Sequence, residues 1–251
     1  MSEGTRFLFH LEQVIKSDVE KSSGLPKTEI KPKEKRGRGR PKGSKNKNKT
    51  EVILTSELLR IKKMINELVK LIANFIPLTY LVLDGHFGNN NALQMVRQVN
   101  LHIISKLRHD SALYIPYQHP DSNSRSRRKY GDKIDYHNIP NKYLCRSTIE
   151  DDIKTDIYQC TLLHKEFAQA LNIVILVKIN LKTNAHSHVI LFSSDLKLSF
   201  EKIIDYYKLR FQIEFNFRDA KQFWGLEDFM NIGQTAVTNA ANLAFFMVNL
   251  S

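Results

Sequence analysis

Between Lys16 and Thr50 the chain is almost entirely Lys, Arg, Pro, Gly, Ser and Asn, and this stretch decides where a folded domain can lie. Within it, Lys31, Lys33, Lys35, Arg36, Arg38, Arg40, Lys42, Lys45, Lys47 and Lys49 stand against Glu34 alone. That is a net +9 out of a formal +12 for all 251 residues. A segment so poor in apolar side chains cannot bury enough surface to offset the entropy of ordering it, so a disordered basic linker is expected over 16–50. Residues 1–15 then form a separate short piece, and 51–251 must supply the core. The charge excess points to an anionic partner.

Apolar periodicity organises the rest. Thr5 to Val14 alternates like a strand. Thr55 to Phe75 carries Leu58, Ile61, Ile65, Leu68, Val69 and Ile72 at helical spacing and stops before Pro77. Leu78 to Leu83 reads as a strand buried on both faces and ends in Asp84-Gly85, where glycine allows a sharp turn. A helix over Asn90 to Val99 and a strand over Leu101 to Ser105 complete a parallel strand–helix–strand unit. Strands at Asp156 to Leu163, Asn172 to Asn180 and His188 to Phe192 suggest a β-rich insertion over 116–198, after a basic loop at Pro116 to Asp132. Ser199 is the expected N-cap of the next helix. The last apolar run, Ala236 to Leu250, reads as a buried helix; it contains Asn242 and Asn249 and is too short to span a bilayer. The expected class is α/β, with 51–115 and 199–251 as two parts of one core. Cys145 and Cys160 suit reduced thiols in a cytoplasmic protein.

Chemistry concentrates in Tyr207-Lys-Leu-Arg210-Phe-Gln-Ile-Glu214-Phe-Asn-Phe-Arg-Asp-Ala-Lys221, which reads Y-x2-R-x3-E-x6-K. On one continuous α-helix these four residues fall within an arc of about 60°. A carboxylate can hold a divalent cation, and the cations can hold phosphates. Such spacing also occurs on ordinary salt-bridged helix faces. Here Phe211, Ile213, Phe215, Phe217, Phe223 and Trp224 surround it, so a helix packed on most sides is expected, with its charges aimed at a cleft or paired. Asp84, past the carboxyl end of a buried strand, is either a turn-former or the partner carboxylate. Converging carboxylates can bind two Mg2+ or Mn2+ ions about 4 Å apart.

Leu81-Val-Leu-Asp84-Gly, followed about 130 residues later by Y-x2-R-x3-E-x6-K, resembles the bacterial insertion-sequence transposases of the DDE superfamily, in the group marked by that YREK signature. The likeness runs from about Leu78 to Ser251. It implies a ribonuclease H-like fold, with Asp84 and Glu214 as catalytic metal ligands. It further implies that Tyr207, Arg210 and Lys221 contact DNA, that double-stranded transposon ends and target are substrates, and that the protein acts as a homodimer. One departure stands out: the group's first aspartate has no good match, because before Asp84 the only aspartate is Asp18, in the polar run Lys16-Ser-Asp-Val-Glu20. A transposase fragment, inactive by itself, is therefore expected, with residues 1–15 a strand remnant.

The linker carries a second signal. Arg36, Arg38, Arg40 and Lys42 lie in an Arg-Gly-Arg-Pro setting that resembles an AT-hook, whose arginines enter the narrow minor groove of A·T-rich DNA. A plain polybasic linker binding any polyanion by counterion release is the alternative to the hook. The alternative function is a non-catalytic DNA-binding protein acting through this basic AT-hook-like segment. His186 and His188 read as a surface pair on one strand face, Asp151-Asp152 as a solvated turn, and Arg108 as a phosphate contact or a surface ion pair.

Overall fold

Alternation at every second residue sends the strand side chains of this chain into two cores, one on each face of a single sheet. The computed structural model describes residues 48–72, 75–118, 128–228, 230 and 233–250. The expected strand at 5–14, residues 16–47 of the expected linker, Asp18 and the AT-hook-like residues lie outside these. The described chain forms two compact units, divided between Phe215 and Asn216.

In the larger unit the elements run α1 (Ser56–Ile72), β1 (Tyr80–Val82), α2 (Asn90–Gln98), β2 (His102–Leu107), β3 (Leu113–Pro116), β4 (Tyr130–Lys133), β5 (Leu144–Glu150), β6 (Ile153–His164), β7 (Ala170–Asn180), β8 (His186–Ser193) and α3 (Phe200–Leu209). The strand order is β1-β2-β8-β7-β6-β3-β4, and β5 pairs with β6. β1 and β2 are parallel, while β8 runs antiparallel to both β2 and β7. The strands expected as an insertion thus continue the sheet of β1 and β2. Ile103, Ile173, Ile175, Val177, Ile190 and Phe192 join Leu58, Ile65, Leu93 and Met95 of α1 and α2 in one core. Their neighbours Ile104, Val174 and Leu191 join Leu198 and Ile203 on the opposite side, beneath α3. Full burial of such a side chain is worth about 1.5–3 kcal/mol. With helices on both faces β7 can be almost uniformly apolar, and it is. This mixed α/β arrangement is compatible with a ribonuclease H-like fold.

Three expectations need correction. β1 is half-buried rather than sealed on both faces, because among the described residues it pairs with β2 alone. The glycine demanded after Asp84 is Gly88 rather than Gly85: a Cβ at Gly88 would lie 2.1 Å from the Lys106 carbonyl oxygen, whereas one at Gly85 meets ordinary contacts from 3.6 Å. Tyr207 to Lys221 is also not one helix. α3 ends at Leu209, Arg210 lies at the junction, and a second helix, α4, covers Phe211–Trp224. At the break Arg210 N–H donates to Tyr207 C=O and Ile213 N–H to Arg210 C=O, three-residue bonds that replace the α-helical ladder.

α4 continues into the smaller unit, where α5 (Gln234–Leu250) packs on it through Ala220, Leu226, Ala241, Ala244 and Phe245. Gly225, at φ +65°, ends α4 in the left-handed region that glycine enters without cost. Neither helix is buried all round. Phe211, Ile213, Phe215, Phe217 and Phe223 are 40–63% exposed, as are Leu243 (61%) and Phe246 (56%) on α5. The buried contact holds the small residues Ala220, Ala241 and Ala244 together with Leu226 and Phe245. The Asp151-Asp152 turn is as expected: both residues are exposed, with φ of 49° and 60°, joining β5 to β6.

The loop after β1 is held by Gly88 and by Asn89, whose side chain accepts from Ala92 N–H at 3.0 Å and caps α2. Asn89→Ala should lower unfolding free energy by about 1 kcal/mol, and Gly88→Ala by about 1–3 kcal/mol, read by urea denaturation. A Gly88→Ala chain as stable as the parent would contradict the close approach.

Candidate active site

Asp84 leaves the sheet where the ladder of β1 stops. Leu83 N–H still bonds to Ile104 C=O at 2.9 Å, and the next carbonyl, that of Asp84, accepts from Phe87 N–H and from the buried Ser105 hydroxyl, each at 2.9 Å. The backbone is fixed by these bonds. The Asp84 carboxylate takes no part in capping the short helical turn that follows. A turn-forming aspartate would use its side chain there; this one is 58% exposed and directed to Arg210, with Oδ1 3.6 Å from Nε.

Arg210 joins this carboxylate to the second. Its Nη1 donates to Glu214 Oε1 at 3.2 Å, one helical turn on. Two contacts and the span of one planar guanidinium place the two carboxylate oxygens within about 9 Å of each other. Two ions about 4 Å apart, each about 2 Å from its oxygen, cover nearly that distance. Arg210 is 19% exposed and Glu214 62%. The guanidinium lies over the Phe211 ring at 4.6 Å and the Tyr207 ring at 5.7 Å. Its Nε is buried without a hydrogen-bond partner. Burial raises the Tyr207 phenol pKa, as does the nearby Asp84 charge, with Arg210 opposing. Asp84, Lys106, Arg108, His109, His188, Tyr207 and Arg210 share an open cleft of about 620 Å3. Arg108 pairs with Asp110 at 3.1 Å. Lys221 lies in the smaller unit and pairs with Glu227 at 2.6 Å.

Hard divalent cations suit this donor set. Two exposed carboxylates converge on one cationic group, and that group's buried Nε has no hydrogen-bond partner. Among the described residues no cluster of three or more His, Cys, Asp or Glu side chains forms. The remaining ligands of an ion here would be water and phosphate, the ordinary way Mg2+ is held. His186 and His188 are neighbours, ring centroids 6.2 Å apart, with His137 4.7 Å from His186. Burial first, then the adjacent His137 and His188, lowers the His186 pKa.

The model of the DDE superfamily endonuclease family matches residues 1–169. The chain belongs to this family. The matched span includes Asp84 and β1 to β6, and it stops before Glu214. Endonucleases of this superfamily typically use divalent metal ions and act on DNA. No curated protein matches the chain. Among the described residues no helix is long and apolar enough to cross a membrane.

The elements around the cleft are tied together by residues that periodicity does not single out. Asn172, buried in β7, donates through Nδ2 to Asp195 C=O (2.9 Å) and Leu198 C=O (2.8 Å) and accepts from Gln159 Nε2 (2.9 Å). Gln159 Oε1 in turn accepts from Phe200 N–H at 3.1 Å and so caps α3, while the Ser199 side chain makes no cap. Tyr80 on β1 donates to Asp195 at 2.7 Å. Thus β1, which leads to Asp84, and α3, which leads to Arg210, are tied to one loop. A polar residue inside the apolar run Ala170–Asn180 was the available signal, since a buried amide must be hydrogen-bonded.

Asn172→Ala should cost about 1–3 kcal/mol by removing the donor to Asp195 C=O and one of the two donors to Leu198 C=O, which Gln159 Nε2 still reaches at 2.8 Å, measured by urea unfolding; an unchanged midpoint would contradict the clamp. Burial, and then the Asp195 bond, pushes the Tyr80 pKa from 10.0 to about 12. Between those values the unfolded chain releases a proton that the folded chain keeps, so stability falls as pH rises. Tyr80→Phe should make that fall shallower in pH-dependent denaturation; an identical slope would contradict the bond.

Proposed function

We propose that this endonuclease-family chain is a transposase of the YREK group, in which Asp84 and Glu214 are metal ligands for DNA strand cleavage and strand transfer. The observation that carries this reading is the single guanidinium held between two carboxylates from distant parts of the chain. Mg2+ or Mn2+, as one or two ions, would activate a water or a 3′-hydroxyl and stabilise the departing oxygen of a phosphodiester. Asp84 and Glu214 would fix where that happens. Arg210, Tyr207 and Lys106, grouped in one cleft, would receive the phosphates beside it, while Arg108 is engaged by Asp110.

Lys221 is proposed as a DNA contact from the signature alone. Action as a homodimer on transposon ends and target, in the bacterial cytoplasm, rests on the same resemblance. Arg36, Arg38, Arg40 and Lys42 would add affinity for duplex DNA, steeply salt-dependent. The cleft favours a catalytic role over simple DNA binding, because a scaffold has no need to bring carboxylates beside cationic phosphate contacts.

Iron-directed cleavage tests this without requiring turnover. Fe2+ with ascorbate should cut the polypeptide near Asp84 and near Glu214. Asp84→Asn and Glu214→Gln should abolish both cuts while duplex affinity stays within about twofold. Cuts that persist in both variants would overturn the reading. Deleting residues 31–49 should weaken duplex binding sharply and leave the iron cuts in place.

A further inference from the structure

Arg210 brings one positive charge to two carboxylates, and it satisfies neither well. Its contact to Glu214 is a single hydrogen bond, and its approach to Asp84, at 3.6 Å, is too long for one. A guanidinium serving only as a structural tie usually binds a carboxylate in parallel, with Nε engaged. Here Nε faces Asp84 Oδ1 only at 3.6 Å and, although buried, makes no hydrogen bond. Both carboxylates remain more than half exposed, so they are accessible to another cation.

Building on the reading of Asp84 and Glu214 as metal ligands, we infer that Arg210 is an exchangeable counter-cation. It competes with a divalent ion for these two carboxylates and passes to a DNA phosphate when it is displaced. The charges require one of the two to yield. A guanidinium beside a divalent cation, both within a few ångströms of the same oxygens, is repelled by it, the more so where solvent is partly excluded. The backbone permits the movement. Arg210 sits at the junction of α3 and α4, where the regular ladder is already interrupted. The Tyr207 and Phe211 rings flank the guanidinium and can keep it partly desolvated as it moves. The destination is the shared cleft, which Lys106 also lines, while Arg108 there is held by Asp110. Metal and DNA therefore assist each other. DNA draws Arg210 from the carboxylates and leaves them for metal; metal frees Arg210 for phosphate. The reciprocity is required by linkage.

The sign of one substitution separates this from a supporting role. Mn2+ affinity is measured by electron paramagnetic resonance on the full chain, as parent, Arg210→Met, Arg210→Gln and Glu214→Gln. Exchange requires Arg210→Met and Arg210→Gln to bind Mn2+ more tightly, by about threefold to tenfold, the range set by two partly exposed ion pairs. The same variants should bind a short DNA duplex more weakly, and Mn2+ should improve their DNA affinity less than it does the parent's. If Glu214→Gln weakens Mn2+ but the arginine variants bind it no better than the parent, the exchange is overturned. If Glu214→Gln binds Mn2+ like the parent, the metal-ligand reading fails first. Should both arginine variants fail to fold, the parent still decides. Adding Mg2+ should shift the Arg210 Nε–H resonance and speed its exchange with water; an unchanged signal at saturating Mg2+ would refute the exchange.

Discussion

Two side-chain amides, half-buried Gln159 on β6 and buried Asn172 on β7, hold the loop from which the site-bearing helix starts. Between them they bond to Asp195 C=O, Leu198 C=O and Phe200 N–H. Left unpaired inside an apolar sheet, each of these groups would cost about 1–3 kcal/mol. The amide pair therefore does more than stabilise. It sets where α3 begins, and ten residues later Arg210 arrives opposite Asp84. Tyr80 ties the strand leading to Asp84 to the same loop. A polar network in the middle of the sheet thus positions charges at its end.

The site that results differs from an ordinary helix-surface ion pair. Glu214 and Arg210 alone would be such a pair, four residues apart and worth little. Asp84 changes this, because it comes from another element and its backbone is anchored by Ser105 and Phe87 independently of its side chain. Lys106 lines the same cleft, and Arg108 beside it is paired with Asp110.

Much of this was legible in the amino-acid pattern. Short apolar runs placed β2, β6, β7 and β8 to within a few residues, and periodicity of 3.6 placed α1 and α2, because burial enforces both. Asp84 at a strand end could be singled out for the same reason. The α3–α4 break could not, since no Gly or Pro marks it; the chain tightens there through three-residue hydrogen bonds at Arg210. The aromatic residues of α4 suggested burial all round, yet composition cannot say which face meets a partner, and Ala220 with Ala241 and Ala244 makes that contact. β5 was missed because every residue in it is exposed, leaving no apolar alternation to read. Asn172 carried a signal, a polar residue in an apolar strand, but its three partners are distant in sequence.

Everything said of function rests on Asp84 and Glu214 sharing a divalent cation. Crystals of the full chain grown with Mn2+ and a DNA duplex, measured at the manganese absorption edge, test this directly. An anomalous peak within about 2.0–2.6 Å of a carboxylate oxygen of each residue, with Arg210 turned toward a phosphate, is the outcome required. Manganese elsewhere, or none, with Arg210 still bridging the two carboxylates, would contradict it.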